Sequence, residues 1–189
     1  MSEVENMDRI LVGVFGLDRP GIVAAVSSVI TRRGANLEQV SQVTLHGQFA
    51  LMCVVQKPTD IAKETIEADL NDEIRRRRLN QAVLVLDFVE PESVGDGEPY
   101  VISIWGPDRN DIIATFSRIL AEQRINIESL RAFPIEAGQS LQVFEVTIPM
   151  EVDRRALHRT LADRAQSMGL RCNQQHRAIF EAIHRVKVD

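Results

Sequence analysis

Two loops of similar sequence, separated by a shift of 90 positions, carry residues that could bind a small charged molecule. Residues 16–21 read GLDRPG and residues 106–111 read GPDRND. An apolar segment with helical spacing follows each loop, so each loop is expected to lie at the start of a helix. The first amides of a helix have no partner inside the helix and lie at the positive end of its dipole. The loops therefore predict that each half can hold a carboxylate at backbone amides.

An asparagine follows each predicted helix, and its amide suits the same ligand chemistry. Asn36 and Asn126 open the second predicted strand of each half, and we expect that strand end to lie beside the loop. An amide can donate to a carboxylate and accept from an ammonium group, so loop and asparagine together predict a site for a small zwitterion. The same residues also fit a structural role, with Asp18 and Asp108 as helix caps and Pro20 in the first turn. Both interpretations stay open at this stage.

The loops belong to a repeat that covers most of the chain. Residues 16–41 align with residues 106–131 without a gap, and eight of these twenty-six positions are identical. In both copies the apolar residues recur at i, i+1, i+4, i+7 and i+8, which predicts a helix with one buried face. Short β-rich runs at 10–15 and 100–105 precede the loops. Each copy therefore opens with a strand, a loop and a helix.

The rest of each copy predicts a hairpin, a second helix and a last strand. These elements are expected at 37–45, 49–55, 60–77 and 82–89 in the first copy, and at 127–135, 141–148, 153–168 and 170–176 in the second. The order βαββαβ predicts an α+β fold made of two tandem ferredoxin-like sandwiches, each an antiparallel sheet with helices on one face. We expect a first domain at 1–89, a linker rich in Pro, Gly and acidic residues at 90–99, and a second domain at 100–189 with a short terminal helix.

Composition limits the classes of partner. The net charge of −5 and the pI of about 5.4 argue against direct binding to nucleic acid, and the basic run 75–78 is expected at a helix C-terminus. No apolar run approaches the roughly 20 residues that span a bilayer, and residues 1–5 lack the layout of a secretory signal. We therefore expect no membrane association and a cytoplasmic location. Cys53 and Cys172 are expected to be separate thiols.

Catalytic constellations are not apparent in the sequence. The four histidines fall on different predicted elements, without spacing that would make a metal site with Cys or carboxylates. We therefore expect no catalytic residues, no metal and no cofactor. One hydrolytic alternative stays open, because acylphosphatases share the predicted topology and use a loop arginine with an asparagine, here Arg19 and Asn36. RNA-recognition domains also share it, but they need aromatic residues on the central strands, and the third predicted strand here offers Phe49 alone.

The motif GLDRPGIV at 16–23, followed by GANL at 34–37 before a hairpin, resembles the signature of ACT domains. The resemblance covers nearly the whole chain, twice, and in domain order it is similar to the glycine cleavage system transcriptional repressor and to the paired ACT domains of bacterial phosphoserine phosphatases. It implies a regulatory module that binds an amino acid, usually at an interface between ACT units whose sheets or helices pair. The ligand-binding residues implied by position are Gly16, Leu17, Asp18, Arg19, Pro20, Gly21, Ile22, Asn36, Leu37, Gly106, Asp108, Arg109, Asn110 and Asn126.

The second copy departs from this motif, with Asn110 and Asp111 where Pro20 and Gly21 stand in the first. Asp111 adds a negative charge where a carboxylate would dock, so we expect the second site to be weaker or unused. The resulting hypothesis is a non-enzymatic amino-acid sensor that forms homo-oligomers and signals to a regulatory partner protein. The alternative is a ligand-free interaction adaptor, a repressor-type regulator of glycine or serine metabolism.

Overall fold

A computed structural model describes residues 7–91 and 96–185 of the chain. The chain divides into two compact units, Met1–Glu92 and Ser93–Asp189. Residues 1–6, and residues 92–95 of the expected linker, lie outside the described residues. The first strand of the second unit begins at Gly97, so residues 97–99 belong to that strand, although the linker was expected to include them. The domain boundaries given above otherwise stay a prediction.

The first unit is a four-stranded antiparallel sheet with two helices. Its elements are β1 (Met7–Leu17), α1 (Ile22–Arg32), β2 (Asn36–Leu45), β3 (Gln48–Pro58), α2 (Lys63–Arg76) and β4 (Gln81–Asp87). The strand order is β2-β3-β1-β4, so β2 and β4 form the edges of the sheet. The predicted βαββαβ order is confirmed for this half.

The second unit repeats this architecture. Its elements are β5 (Gly97–Pro107), α3 (Ile112–Glu122), β6 (Asn126–Pro134), β7 (Gln139–Pro149), α4 (Arg154–Ser167), β8 (Arg171–His176) and a terminal helix α5 (Arg177–Arg185). A short 3-10 turn lies between β6 and β7, and the strand order is β6-β7-β5-β8. The predicted α+β class and the ferredoxin-like topology are therefore confirmed for both halves.

Each core lies between the sheet and the helices, as the helical spacing predicts. Ile22, Val26 and Val29 of α1 are fully buried against one face of the first sheet, and Ile112, Phe116 and Leu120 of α3 take the same place in the second unit. Alternate residues of the central strands complete each core, because successive side chains of a strand point to opposite faces. This packing fixes the start of α1 and of α3 at one end of each sheet.

The two hairpins differ in length, which changes the register of the repeat. In the first, His46 and Gly47 both have positive φ (48° and 74°), as the two-residue turn of a tight hairpin requires. The second hairpin is one residue longer, so the alignment shift of 90 becomes 91 at β7. Strand pairing shows this directly, because Phe49 pairs with Gly16 whereas Ser140 pairs with Gly106.

The outer faces of the two sheets, which point away from the helices, differ in character. The first carries large apolar side chains that are about half exposed, namely Phe15, Met52, Leu84 and Leu86. The corresponding face of the second is mixed, because it carries Ser103, Glu145 and Asn173 beside the apolar Trp105 and Val143. Arg177, at the start of α5, lies 3.9 Å from Glu145. The outer face of the second sheet is thus more polar than that of the first, although both include apolar side chains.

The basic run at the end of α2 takes part in ion pairs. Arg76 and Arg77 both donate to Glu73, whose side chain is buried, and Arg77 also reaches the hydroxyl of Ser28 on α1 at 3.3 Å. These hydrogen bonds lower the pKa of Glu73 to about 2. The run therefore stabilises the C-terminus of α2, as its position predicts.

Candidate functional site

The first loop connects β1 to α1 and is fixed against the β2–β3 hairpin. The backbone N–H of Asp18 donates to the carbonyl of Gly47 at 2.8 Å, and Thr44 donates its hydroxyl to the Asp18 carboxylate at 3.4 Å. Gly21 is the N-cap of α1, and no side chain caps this helix. The structural interpretation of Asp18 as a helix cap is therefore wrong. The first amides of α1 keep no side-chain partner, as the predicted anion site requires.

Two glycines of this loop have different roles. Gly21 has φ 99°, which favours glycine, and a Cβ placed there would meet nothing within 4 Å. Gly16 has φ 156°, and a Cβ there would come 2.9 Å from the carbonyl oxygen of Asn80. Gly106 is crowded in the same way, by Leu170 and Gly169. Gly16 and Gly106 therefore allow close packing against the backbone at the start of the last strand of their unit, β4 or β8. Gly21 instead leaves open space at the start of α1.

Arg19 is the unpaired cation of the first loop. Residues 17–21 are all exposed, and within the described part of the chain the Arg19 guanidinium makes no hydrogen bond or ion pair. Its five donors can form a bidentate pair with a carboxylate. The first loop therefore offers a free cation next to uncapped helix amides.

The arginine of the second loop is already paired. Arg109 donates from Nε and from a terminal nitrogen to the two carboxylate oxygens of Asp111, at 2.9 and 2.8 Å. These bonds lower the pKa of Asp111 and raise that of Arg109. Asp111 is also the N-cap residue of α3, yet its side chain makes no capping hydrogen bond. The position taken by Gly21 in the first loop is thus occupied by a carboxylate of the chain itself.

The two asparagines do not lie beside the loops of their own units, and this expectation is wrong. Asn36 pairs with Gln56 in β3, whereas Leu17, at the start of the loop, pairs with Gln48. Eight residues of β3 separate these pairs, which is roughly 27 Å of strand. The reason is that α1 carries the chain back along the sheet, so β2 starts at the end where β1 starts. Asn126 lies equally far from the second loop, paired with Thr147.

The remaining predicted site residues divide by position. Leu17 and Pro20 are exposed in the first loop, and Asn110 is exposed in the second, beside Asp108. Ile22 is buried in the core, and Leu37 packs against that core at the far end of the sheet. Ile22 and Leu37 therefore have a packing role in their unit.

A cavity next to the second loop includes residues that sequence reasoning missed. It has a volume of about 390 Å³ and is lined by Asp108 and Arg109 together with Phe133, Ser140 and Gln142. Ser140 and Gln142 are both buried polar residues of β7. The available signal was a comparison of β7 with β3 at a shift of 91 rather than 90.

Other site types find no support in the part of the chain that is described. Within residues 7–91 and 96–185, no three His, Cys, Asp or Glu side chains are grouped so that they could hold a metal ion. None of the helices described there combines the length and apolar character needed to cross a bilayer. Cys53 and Cys172 are free thiols, and burial raises the pKa of each to about 11.

Comparison with known proteins places the chain in a family. The model of the ACT domain matches residues 8–82. The chain is 30% identical over 82 residues to a UPF0237 protein of Pyrobaculum aerophilum, covering 43% of this chain and 91% of that protein. It is 49% identical over 49 residues to a UPF0237 protein of Methanopyrus kandleri, which is 26% of this chain and about half (54%) of that relative. With the phosphoserine phosphatase of Streptomyces coelicolor it shares 23% identity over 172 residues, which is 89% of this chain but only 40% of the phosphatase.

Solved structures show the same fold over both units. A protein of unknown function from Galdieria sulphuraria superposes with a TM-score of 0.74 at 20% identity, covering 90% of this chain and 99% of that one. A glycine cleavage system transcriptional repressor superposes with a TM-score of 0.64 at 14% identity, covering 89% and 96%. With the duplicated loop, the two βαββαβ units and these relatives in agreement, the chain belongs to the ACT-domain family.

Proposed function

We propose that this chain is a non-enzymatic regulatory protein that binds an amino acid, or a related small effector, at its first loop and signals to a partner protein. The observation that carries the proposal is the start of α1, where no side chain caps the helix and Gly21 leaves open space. Arg19 stands next to this position, without a partner in the described residues. A carboxylate placed there would gain charge-assisted hydrogen bonds from the guanidinium and from backbone amides.

The same loop contains an acceptor for the opposite end of a zwitterion. The Asp18 carboxylate lies beside Thr44, whose hydroxyl donates to it at a long 3.4 Å, and it is exposed. An ammonium group is a stronger donor than a hydroxyl, so an α-amino acid can pair with Arg19 and Asp18 together. This arrangement supports an amino acid rather than a simple carboxylic acid as the effector.

Asn36 can contribute to this site from a second copy of the chain. The edge strand β2 exposes Val43 and Leu45, which are 58% and 67% exposed. Antiparallel pairing of two β2 edges would place the start of one β2, with its Asn36, beside the end of the other, where Thr44 contacts the first loop. The amide would then complete the site, and the effector would stabilise the paired form. We therefore propose a homo-oligomer in which ligand binding and assembly are coupled.

The second loop takes a lesser part in carboxylate binding. The Asp111 carboxylate already accepts both donors of Arg109 that a ligand carboxylate would use. Displacing it would leave Asp111 without these bonds beside a second negative charge. We propose that the first unit binds the effector carboxylate and that the second does not.

A thermal-shift screen of the twenty amino acids tests this function. An effector selective for the folded form raises Tm by an amount that grows with the logarithm of its concentration over Kd, and we expect a small chemically related group of amino acids to do so. Asn36→Ala is expected to remove most of that shift without unfolding the protein, because Asn36 is exposed at a strand start. Asn126→Ala is the matched control and should leave the shift intact. A flat screen would instead support the ligand-free adaptor.

Within one unit the hydrolytic alternative has no geometric basis. Arg19 and Asn36 lie at opposite ends of the first sheet, so within one unit they cannot act on one acyl phosphate. We also propose a cytoplasmic site of action, which the free thiols Cys53 and Cys172 support, because reducing compartments keep cysteines unpaired.

A further inference from the structure

The cavity beside the second loop is lined by two buried polar residues whose counterparts in the first unit are apolar. Its floor is formed by Ser140 and Gln142 of β7, and its rim by Asp108 and Phe133. Its volume of about 390 Å³ is within the range of small-ligand pockets. All of these residues belong to the second unit, so the cavity does not depend on the first loop.

Strand register shows how the cavity arises. Ser140 pairs with Gly106 as Phe49 pairs with Gly16, and Gln142 pairs with Ile104 as Leu51 pairs with Val14. In the first unit Phe49 and Leu51 are buried in the apolar core. The second unit therefore replaces a large aromatic ring by a hydroxymethyl group and an aliphatic side chain by a carboxamide. The first unit shows that the fold accommodates apolar residues at both positions, so the polar pair is not a requirement of the fold.

Gln142 carries an unpaired hydrogen-bonding atom at this place. Its side chain is 4% exposed, and its Nε2 donates to the hydroxyl oxygen of Ser140 at 2.8 Å. Its Oε1 is buried and has no hydrogen-bond partner among residues 7–91 and 96–185. Proteins rarely leave a buried carbonyl oxygen unpaired, so the Gln142 carboxamide has an acceptor that a donor from outside the chain can satisfy once the side chain turns toward the cavity.

The charges around the cavity indicate which donor fits. Arg109 and Asp111 neutralise each other, while the Asp108 carboxylate makes no hydrogen bond or ion pair in the described residues. The polar groups left free are therefore acceptors, Gln142 Oε1 and a carboxylate, and the apolar lining on the same face of the sheet includes Ile113 and Ala132. We propose that this cavity binds a small ligand through a protonated primary amine, with its short apolar part against Ile113.

An NMR titration tests this assignment. The full chain, labelled with ¹⁵N, is titrated with propylammonium chloride, and with sodium propionate and potassium chloride as matched controls. We expect saturable shifts from propylammonium at the Gln142 side-chain amide and at the Ser140 and Phe133 backbone amides, and no saturable shifts there from either control. Equal responses to propionate, or propylammonium shifts only outside these residues, would overturn the proposal.

Two variants complete the test. Gln142→Leu restores the residue of the first unit and should abolish the propylammonium response. Asp108→Asn keeps the shape of an exposed side chain and should weaken binding at least tenfold by removing the charge, so it remains informative if Gln142→Leu fails to fold. Full binding by a folded Gln142→Leu or by Asp108→Asn would contradict the site. Failure here leaves the first-loop proposal intact, because Arg19 and α1 take no part in the measurement.

Discussion

The two loops that lead into α1 and α3 share a backbone frame and differ in how their charges are used. In both, the aspartate amide donates to the hairpin carbonyl at 2.8 Å, from Asp18 to Gly47 and from Asp108 to Gly138. In the first loop the arginine has no partner among the residues that the structure describes, and a glycine stands at the helix cap. In the second, Asp111 replaces that glycine and binds the arginine. Duplication has thus preserved the geometry that exposes helix amides, while one substitution changed what the loop can bind.

The buried residues next to each loop also differ between the two units. Phe49 and Leu51 close the space in the first unit, and Ser140 and Gln142 leave a polar cavity in the second. The sites that we propose for the two units therefore differ in their polar groups, although they lie on one fold.

The largest expected effect is a loss of stability when either crowded glycine, Gly16 or Gly106, is replaced by alanine. Gly16→Ala should lower the free energy of unfolding by about 3 kcal/mol, because its Cβ would meet a backbone oxygen at 2.9 Å in a conformation that disfavours side chains. Gly106→Ala should cost about 2 kcal/mol, since its closest neighbour is the mobile end of Leu170. Urea denaturation followed by circular dichroism measures both. Equal losses would show that the two loops are equally constrained.

A swap of the cap residue tests the charge comparison. Gly21→Asp places the carboxylate of the second loop into the first, where it should bind Arg19 and weaken the effector found in the screen about 10- to 100-fold, the range for a lost charged hydrogen bond of about 1.5–3 kcal/mol. Gly21→Ala has the same backbone strain without the charge and is the control. Isothermal titration calorimetry measures the affinities. Similar losses in both variants would assign the effect to strain instead of to competition with the ligand.

The interior comparison predicts a gain in stability. Gln142→Leu removes a buried unpaired carbonyl oxygen and restores the apolar residue of the first unit, so the free energy of unfolding should rise by about 1 kcal/mol. The matched change Leu51→Gln should lower it, because it places the carboxamide in a core without Ser140 as a partner. Urea denaturation of both variants decides the point, and a destabilised Gln142→Leu would mean that the carboxamide is required by the fold.

The smallest expected effect is a pH dependence of stability that arises from the first unit alone. Glu73 is held ionised by Arg76 and Arg77, with its pKa lowered to about 2 from an ordinary 4.5, whereas α4 has Arg164 at the equivalent position. A lowered folded-state pKa adds stability above about pH 4.5 and loses it as the pH falls toward 2. Wild type should thus exceed Glu73→Gln in Tm at pH 6, and the difference should shrink as the pH falls from about 4.5 toward 2. A constant difference across that range would contradict this origin.

Much of the fold could be predicted from the sequence because the repeat supplied each element twice. The helix α1 and the hairpin strands followed from apolar spacing alone. The prediction that Asn36 lies beside the first loop was wrong. The sequence shows that a strand starts at Asn36, but it does not show that α1 returns the chain along the full length of the sheet. Ser140 and Gln142 were missed because they occupy the buried side of an alternating strand, and the extra hairpin residue hides their match to Phe49 and Leu51.

The most direct test of the account compares the two loop arginines in one titration. The amino acid that raises Tm most is titrated calorimetrically into wild type, Arg19→Ala and Arg109→Ala. We expect Arg19→Ala to lose at least tenfold in affinity and Arg109→Ala to stay within twofold of wild type, because only Arg19 is free to bind a carboxylate. Unchanged affinity in Arg19→Ala, or a larger loss in Arg109→Ala, would contradict the account.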